Sequence, residues 1–156
     1  MATTSAKRVL LDTNVLLAAT LPGRPHFATA NKILETGTGA GTDLFTSGQI
    51  LREYLAAATR PATTNGLGLE PAQALENVEA FCDRLAILDE DGRVAIRLQE
   101  LVAKLGVRGK QVHDANLVAT ATIHGVEAIL TANVADFQRF ADQVEILDLG
   151  SLTSLD

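Results

Sequence analysis

Four short apolar runs punctuate this chain, and stretches of helical periodicity separate them. Arg8–Leu11, Leu44–Thr46, Ala128–Leu130 and Val144–Leu147 are each long enough for one buried strand and too short for a helix. Strands of this kind, alternating with amphipathic helices, indicate an α/β sandwich with a mainly parallel sheet. Helices are expected over Thr13–Thr20 and Phe27–Leu34, and from an N-cap at Ser47 to Thr59, where Pro61 ends the third. A further helix begins at Pro71, with Leu75, Val78, Cys82 and Leu85 on one stripe. The next carries Val94, Leu98, Leu101 and Leu105. Asp89-Glu90-Asp91 between them reads as a solvated turn that caps the second. Asp114 opens another helix, which stops at Gly125, and a short helix is expected around Phe137–Phe140. No repeat or linker divides the 156 residues, so a single domain is expected, with its core at about residues 8–148.

Composition narrows the classes. Apolar residues make up 47% and charged residues 21%, which excludes a disordered chain. With no Trp and one Tyr the core must be aliphatic. Cys82 is the only cysteine, which rules out an internal disulfide and a cysteine-based zinc cluster; its neighbours Val78, Phe81 and Leu85 suggest a buried helical thiol. Lys7-Arg8 followed by Val9–Leu21 has the outline of a signal peptide, but Asp12 and Asn14 interrupt the apolar run and it is too short to span a bilayer. A cytoplasmic protein without membrane attachment is therefore expected. The net charge of −6 argues against broad adhesion to nucleic acid, although it falls to −2 when four particular acids are set aside as metal ligands. Any such contact would rest on local cations, of which Arg52, Arg60, Arg108 and Lys110 are candidates.

Those four acids are Asp12, Glu53, Asp114 and Asp136. In open parallel sheets, ligand sites form beyond the carboxyl ends of the strands. Asp12 ends the first strand, Asp136 follows the strand ending at Leu130 or Thr131, and Asp114 starts a helix. Each of the three also suits an ordinary helix N-cap. Glu53 does not: it lies about two turns into its helix among Ile50, Ala56 and Ala57. Two carboxylates about 5 Å apart repel by roughly 3 kcal/mol at an effective dielectric near 20, so a cluster of four needs protons or cations. Oxygen-only donors suit Mg²⁺ or Mn²⁺, whereas zinc would favour His or Cys, and the sequence offers no spaced His pair. His113 adjoins Asp114 but should face elsewhere, and His26 and His124 read as structural or exposed. Thr13, Asn14, Thr131 and Asn133 are small polar groups beside the acids, suited to orienting water or a phosphate oxygen and equally to turns and caps. Two rival motifs fall away. Gly37-Thr38-Gly39-Ala40-Gly41, expected as a flexible loop, follows a helix and precedes a strand, the reverse of a dinucleotide site. A phosphatase-like nucleophile at Asp12 would have a second Asp where Asn14 stands.

Four segments carry a family resemblance: Leu10–Leu17 around Asp12, Ile50–Leu55 around Glu53, His113–Ala121 around Asp114, and Thr131–Phe137 around Asp136. In order and spacing, across nearly the whole chain, the sequence resembles the PIN-domain family, and within it the VapC-type toxin ribonucleases of type II toxin–antitoxin systems. The resemblance implies a compact three-layer α/β/α sandwich and a Mg²⁺- or Mn²⁺-dependent endoribonuclease. Asp12, Glu53, Asp114 and Asp136 occupy its acidic positions, and Thr131 and Asn133 its accompanying polar ones. The fourth acid varies most in such proteins, with Asn133 placed to share its role. The resemblance also implies an RNA substrate, a VapB-like antitoxin whose tail covers the cleft, and a homodimer, although no apolar stripe marks the dimer interface.

The expected chemistry is hydrolysis by metal-activated water, with Asp12 and Asp114 at the principal ion and Glu53 and Asp136 completing its shell or recruiting a second. Such cleavage leaves 5′-phosphate and 3′-hydroxyl ends. A PIN nuclease in RNA processing outside a toxin pair, or a catalytically silent module that binds RNA or protein, are the alternatives. Target choice would depend on surface loops such as Thr63–Leu69 and Gly106–Lys110.

Overall fold

Each apolar run of the sequence forms a strand, and a fifth strand forms where none was expected. The computed structural model describes residues 4–37, 41–152 and 155. Of the glycine loop expected at 37–41, residues 38–40 lie outside the described residues. The strands are β1 (Arg8–Leu11), β2 (Asp43–Ser47), β3 (Ala86–Leu88), β4 (Ala128–Thr131) and β5 (Glu145–Asp148). The helices are α1 (Thr13–Ala18), α2 (Phe27–Thr36), α3 (Gly48–Thr59), α4 (Pro71–Cys82), α5 (Gly92–Leu105), α6 (Gln111–Ile123) and α7 (Val134–Phe137). Short 3₁₀ turns follow α3 and α7, at Ala62–Thr64 and Gln138–Phe140.

The strands form one sheet in the order β3-β2-β1-β4-β5, and all four pairings are parallel. From β1 the chain steps outward to β2 and then β3, returns across the sheet to β4, and steps outward the other way to β5. Right-handed crossovers therefore put α1–α4 over one face and α5–α7 over the other. The contacts agree: α1 packs on α2 and α3, α3 packs on α4, and α5 runs along α6. The result is a three-layer α/β/α sandwich. Leu10, Leu11, Leu44, Ile129 and Leu130 are enclosed between the layers, each stabilising the fold by about 1.5–3 kcal/mol. Beyond the strands, Thr4, Ala6, Leu149, Leu152 and Leu155 are also buried, and Leu155 O accepts from Thr42 Oγ1 at 3.0 Å.

Four expectations change. The stripe on α4 is rotated: Leu75 is 57% exposed, while Ala74 and Phe81 turn inward. Phe81 is drawn in because its ring meets Tyr54 edge-on, with centroids 5.2 Å apart. Cys82 beside it is half-buried rather than enclosed, and burial, followed by the Asp83 charge, pushes its thiol pKa up. The strand β3, three residues at the sheet edge with Ile87 half exposed, was too short and too little buried to register as an apolar run. Finally, α6 begins at Gln111, after a turn in which Val112 N donates to Gly109 O; Asp114 is thus its fourth residue, not its first.

Tyr54 holds the helical layer over the site together. Its ring is fully buried, and its hydroxyl meets Thr20 Oγ1 at 2.9 Å and Asn77 Nδ2 at 3.1 Å, tying the end of α1 to α4 through α3. Tyr54→Phe should lower unfolding free energy by about 1–2 kcal/mol by stranding the two partners. Tyr54→Ala should cost about 3–5 kcal/mol through the cavity it leaves. Urea titration followed by circular dichroism measures both.

Candidate active site

The strands β1 and β4 lie side by side, yet their connections leave in opposite directions. That divergence opens a crevice at their carboxyl ends, where open α/β sheets bind ligands. The register Leu11↔Leu130 sets the next residues, Asp12 and Thr131, beside each other at its floor. The Asp12 backbone continues the ladder, with N donating to Leu130 O at 2.9 Å.

Asp12 is only 8% exposed. Its Oδ1 accepts from Thr13 N at 2.8 Å, so it caps α1 as the sequence allowed. Its Oδ2 accepts from Thr131 Oγ1 at 2.9 Å and Asn14 Nδ2 at 3.2 Å. A carboxylate offers about four lone-pair sites, and these bonds leave one free. Asn14 also donates to Thr131 Oγ1 at 3.1 Å and accepts from Ala132 N at 3.0 Å, stitching the two loops together. Asn133 joins through its backbone, N donating to Thr131 Oγ1 at 3.0 Å. Thr13 reaches the other way, its hydroxyl donating to Glu53 Oε2 at 2.9 Å. Thus three of the four small polar residues singled out in the sequence, Thr13, Asn14 and Thr131, bond to an acid, while Asn133 reaches only the Thr131 hydroxyl.

Glu53 projects from α3, whose start is fixed by Ser47 Oγ accepting from Ile50 N at 3.4 Å. Asp114 lies in the first turn of α6 and Asp136 in that of α7, where Asn133 is the N-cap. The capping explanation therefore applies to Asp12 alone. Among the described residues no hydrogen bond holds the Asp114 carboxylate, which remains an open acceptor.

The acids act on one another. Burial above all raises the Asp12 pKa from 3.8 to about 6, against the Thr131 and Thr13 hydrogen bonds, with Glu53 and Asp136 adding repulsion. Asp114 is likewise raised to about 6, first by burial and then by Asp12, Asp136 and Glu53. The four carboxylates thus share one field, and the ion pairs of the described residues, Arg8–Asp43, Arg93–Asp91 and Arg97–Glu100, include none of them. Such a set of hard oxygen donors fits a hard divalent cation. Among the described residues no three acidic, histidine or cysteine side chains converge closely enough to enclose a metal ion. Donors that are all oxygen, with no histidine or cysteine among them, would suit Mg²⁺ or Mn²⁺ better than zinc.

Sequence reasoning missed a second polar tier. Gln49, one helical turn before Glu53 and 4% exposed, donates through Nε2 to Glu53 Oε1 and to His113 O, both at 2.9 Å. Its Oε1 accepts from Asn116 Nδ2 at 2.7 Å. Asn116 also donates to Glu90 Oε1 at 2.7 Å, and Glu90 Oε2 accepts from Gln49 N at 2.8 Å. Glu90 is therefore bound to α3 and α6 and is not part of a purely solvated turn; only Asp91 of that run caps α5. The signal for Gln49 was its four-residue spacing from Glu53; nothing local marked Glu90. Of the four cations, Arg52 is beside Glu53, while Arg108 and Lys110 precede α6; all are exposed. Arg60 is seven residues along α3 from Glu53, roughly 10 Å away along the axis.

These shifts fix a sign for stability. Asp12 ionises in the unfolded chain near pH 4 and in the folded protein only near pH 6, so folding loses stability across that window as pH rises. For Asp12 the loss approaches about 3 kcal/mol above pH 6, and half-exposed Asp114 acts in the same direction. Urea unfolding in EDTA should find Asp12→Asn equal to wild type near pH 4 and more stable by up to that amount at pH 7. Saturating Mn²⁺ should raise the wild-type melting temperature at pH 7 and leave the variant nearly unmoved.

Direct sequence comparison with curated proteins finds no match. Solved structures share the fold. The chain resembles one from the crystal structure of VapBC2 from Rickettsia felis bound to a promoter DNA fragment, with TM-score 0.69 and 18% identity over 90% of this chain and 97% of that one. VapBC-1 from nontypeable Haemophilus influenzae gives 0.63 and 20%, with coverage of 90% and 97%. VapC20 of Mycobacterium tuberculosis, described as a toxin that cleaves the sarcin–ricin loop, gives 0.60 and 14%, with coverage of 86% and 94%. A family model for the PIN domain matches residues 9–143, most of the chain, and the protein belongs to the PIN-domain family.

Proposed function

We propose that this protein is a Mg²⁺- or Mn²⁺-dependent endoribonuclease and the toxin of a VapBC-type toxin–antitoxin pair, acting in the cytoplasm. One observation supports the nuclease reading: the carboxylates of Asp12, just after β1, Glu53 on α3, Asp114 on α6 and Asp136 on α7 are near enough for their charges to act on one another, two of them with pKa values raised to about 6 and none in an ion pair among the described residues. The relatives from toxin–antitoxin complexes support the pairing with a VapB-like antitoxin. Homodimerisation is part of the same proposal. No helix of the described residues is long and apolar enough to cross a membrane.

Asp12 and Asp114 would hold the principal cation, with Glu53 and Asp136 beside them. When bound, the cation supplies the positive charge that lowers the pKa of a water and offsets charge building on the phosphate. The chain itself does the positioning. Thr13, Asn14 and Thr131 fix the Asp12 carboxylate, and Thr13 with Gln49 fixes both oxygens of Glu53. Hydrolysis with water as nucleophile leaves 5′-phosphate and 3′-hydroxyl ends.

Purified protein incubated with structured RNA and Mg²⁺ or Mn²⁺ should cut it, and EDTA or Asp12→Asn should abolish cutting. Equal cutting by Asp12→Asn would refute the site. Ends bearing 2′,3′-cyclic phosphate would refute the mechanism, since the ribose hydroxyl would then have attacked. Gln49→Leu should lower metal affinity or activity roughly 10- to 100-fold, the usual cost of losing a partner that orients a ligand. Calorimetric titration with Mn²⁺ beside the cleavage assay separates the two effects.

A further inference from the structure

RNA entering a crevice of four carboxylates meets repulsion on either side of the reacting phosphate, so cations next to the crevice matter more than cations elsewhere. The loop from α1 to α2 supplies one, Arg24, with His26 beside it. Arg24 N donates to Leu21 O at 3.3 Å and Phe27 N to Arg24 O at 3.2 Å, folding the Pro22–Pro25 turn tightly. His26 then takes φ 65°, in the left-handed region that non-glycine residues rarely enter. Arg24 and His26 from this corner line a cavity of about 170 Å³. Asn14 and Ala132 line it too: the Asn14 side chain accepts from the Ala132 amide and donates to Asp12. The cavity is therefore the outer side of the network that fixes the buried acid. Leu17 and Ala18 add an apolar surface.

Both basic side chains are exposed, and neither takes part in an ion pair among the described residues. A volume of this size equals roughly five or six waters at about 30 Å³ each, enough for a phosphate group. Cation and amide on the walls with an aliphatic surface between them match a nucleotide, whose phosphate is charged and whose sugar and base edge are not.

We propose that Arg24, with His26, Asn14 and the Leu17–Ala18 surface, forms a subsite for the RNA backbone, receiving a phosphate adjacent to the one that is cleaved. It rests on the nuclease reading and adds a determinant that the four cations picked from sequence do not include. Arg24 acts on substrate position and leaves the acids intact.

The test uses Asp114→Asn protein, which should bind without turnover, and a fluorescein-labelled oligoribonucleotide of mixed sequence in Mn²⁺, read by fluorescence anisotropy across a salt series. Adding Arg24→Ala should weaken binding about tenfold and reduce the slope of log affinity against log salt by about 0.7, the value for one phosphate contact on a single strand. Arg24→Lys should restore the slope, and melting temperature should not change. In the otherwise wild-type protein, Arg24→Ala should raise KM and leave kcat nearly constant. A wild-type salt slope in Arg24→Ala overturns the subsite while leaving the nuclease reading standing. So does a larger loss of affinity for an oligoglutamate peptide than for RNA, which would assign the cavity to an acidic protein segment. Absence of Asp12-dependent cleavage in wild type removes the nuclease reading itself, and the subsite with it.

Discussion

The pairing of β1 with β4 is the constraint on which the site depends. Two neighbouring parallel strands whose connections diverge leave the residues at their carboxyl ends on the floor of a crevice. Here those residues are Asp12 and Thr131, and their 2.9 Å hydrogen bond joins the two loops. A carboxylate this deeply enclosed is expensive in free energy unless bonded, which explains why the short side chains of Thr13, Asn14 and Thr131 crowd around it. Their bonds offset part of the desolvation and leave the pKa near 6. On the proposed function, a bound cation would relieve the remaining frustration.

Around this centre the fold builds a second tier that crosses layers. Gln49 on α3 touches Glu53 on its own helix and His113 and Asn116 on α6, while Glu90 joins α3 and α6 from the loop before α5. Every amide hydrogen of Gln49 Nε2 and Asn116 Nδ2 has an acceptor. A network so fully satisfied is rigid, and its rigidity passes to Glu53 and to the first turn of α6, where Asp114 stands. Side chains from the two helical layers are thereby held against a common reference although no strand connects them.

Much of this could be read from sequence because it is encoded locally. Apolar runs gave β1, β2, β4 and β5; Ser47, Pro61 and Gly125 marked helix ends; and each acid sits in a short motif at a strand end or on a helix. The misses share a cause, which is that their reasons lie far away in sequence. Phe81 turns inward, and Leu75 outward, because Tyr54 on α3 waits there. Glu90 stands in an acidic run that looks solvated, and only folding brings it to Asn116 and to the first turn of α3. Arg24 sits in a turn recognised for its prolines, and the cavity it borders exists only after α1 and the loop following β4 have met. Periodicity within one element cannot report such meetings.

The most direct measurement is anomalous diffraction from a crystal of the wild-type protein grown in Mn²⁺ near pH 7. A strong anomalous peak is expected in the crevice, contacting the Asp12 and Asp114 carboxylates. Ordered density for the four acids with no peak among them, or a peak only elsewhere on the surface, would contradict the claim that these carboxylates are gathered to hold a divalent cation.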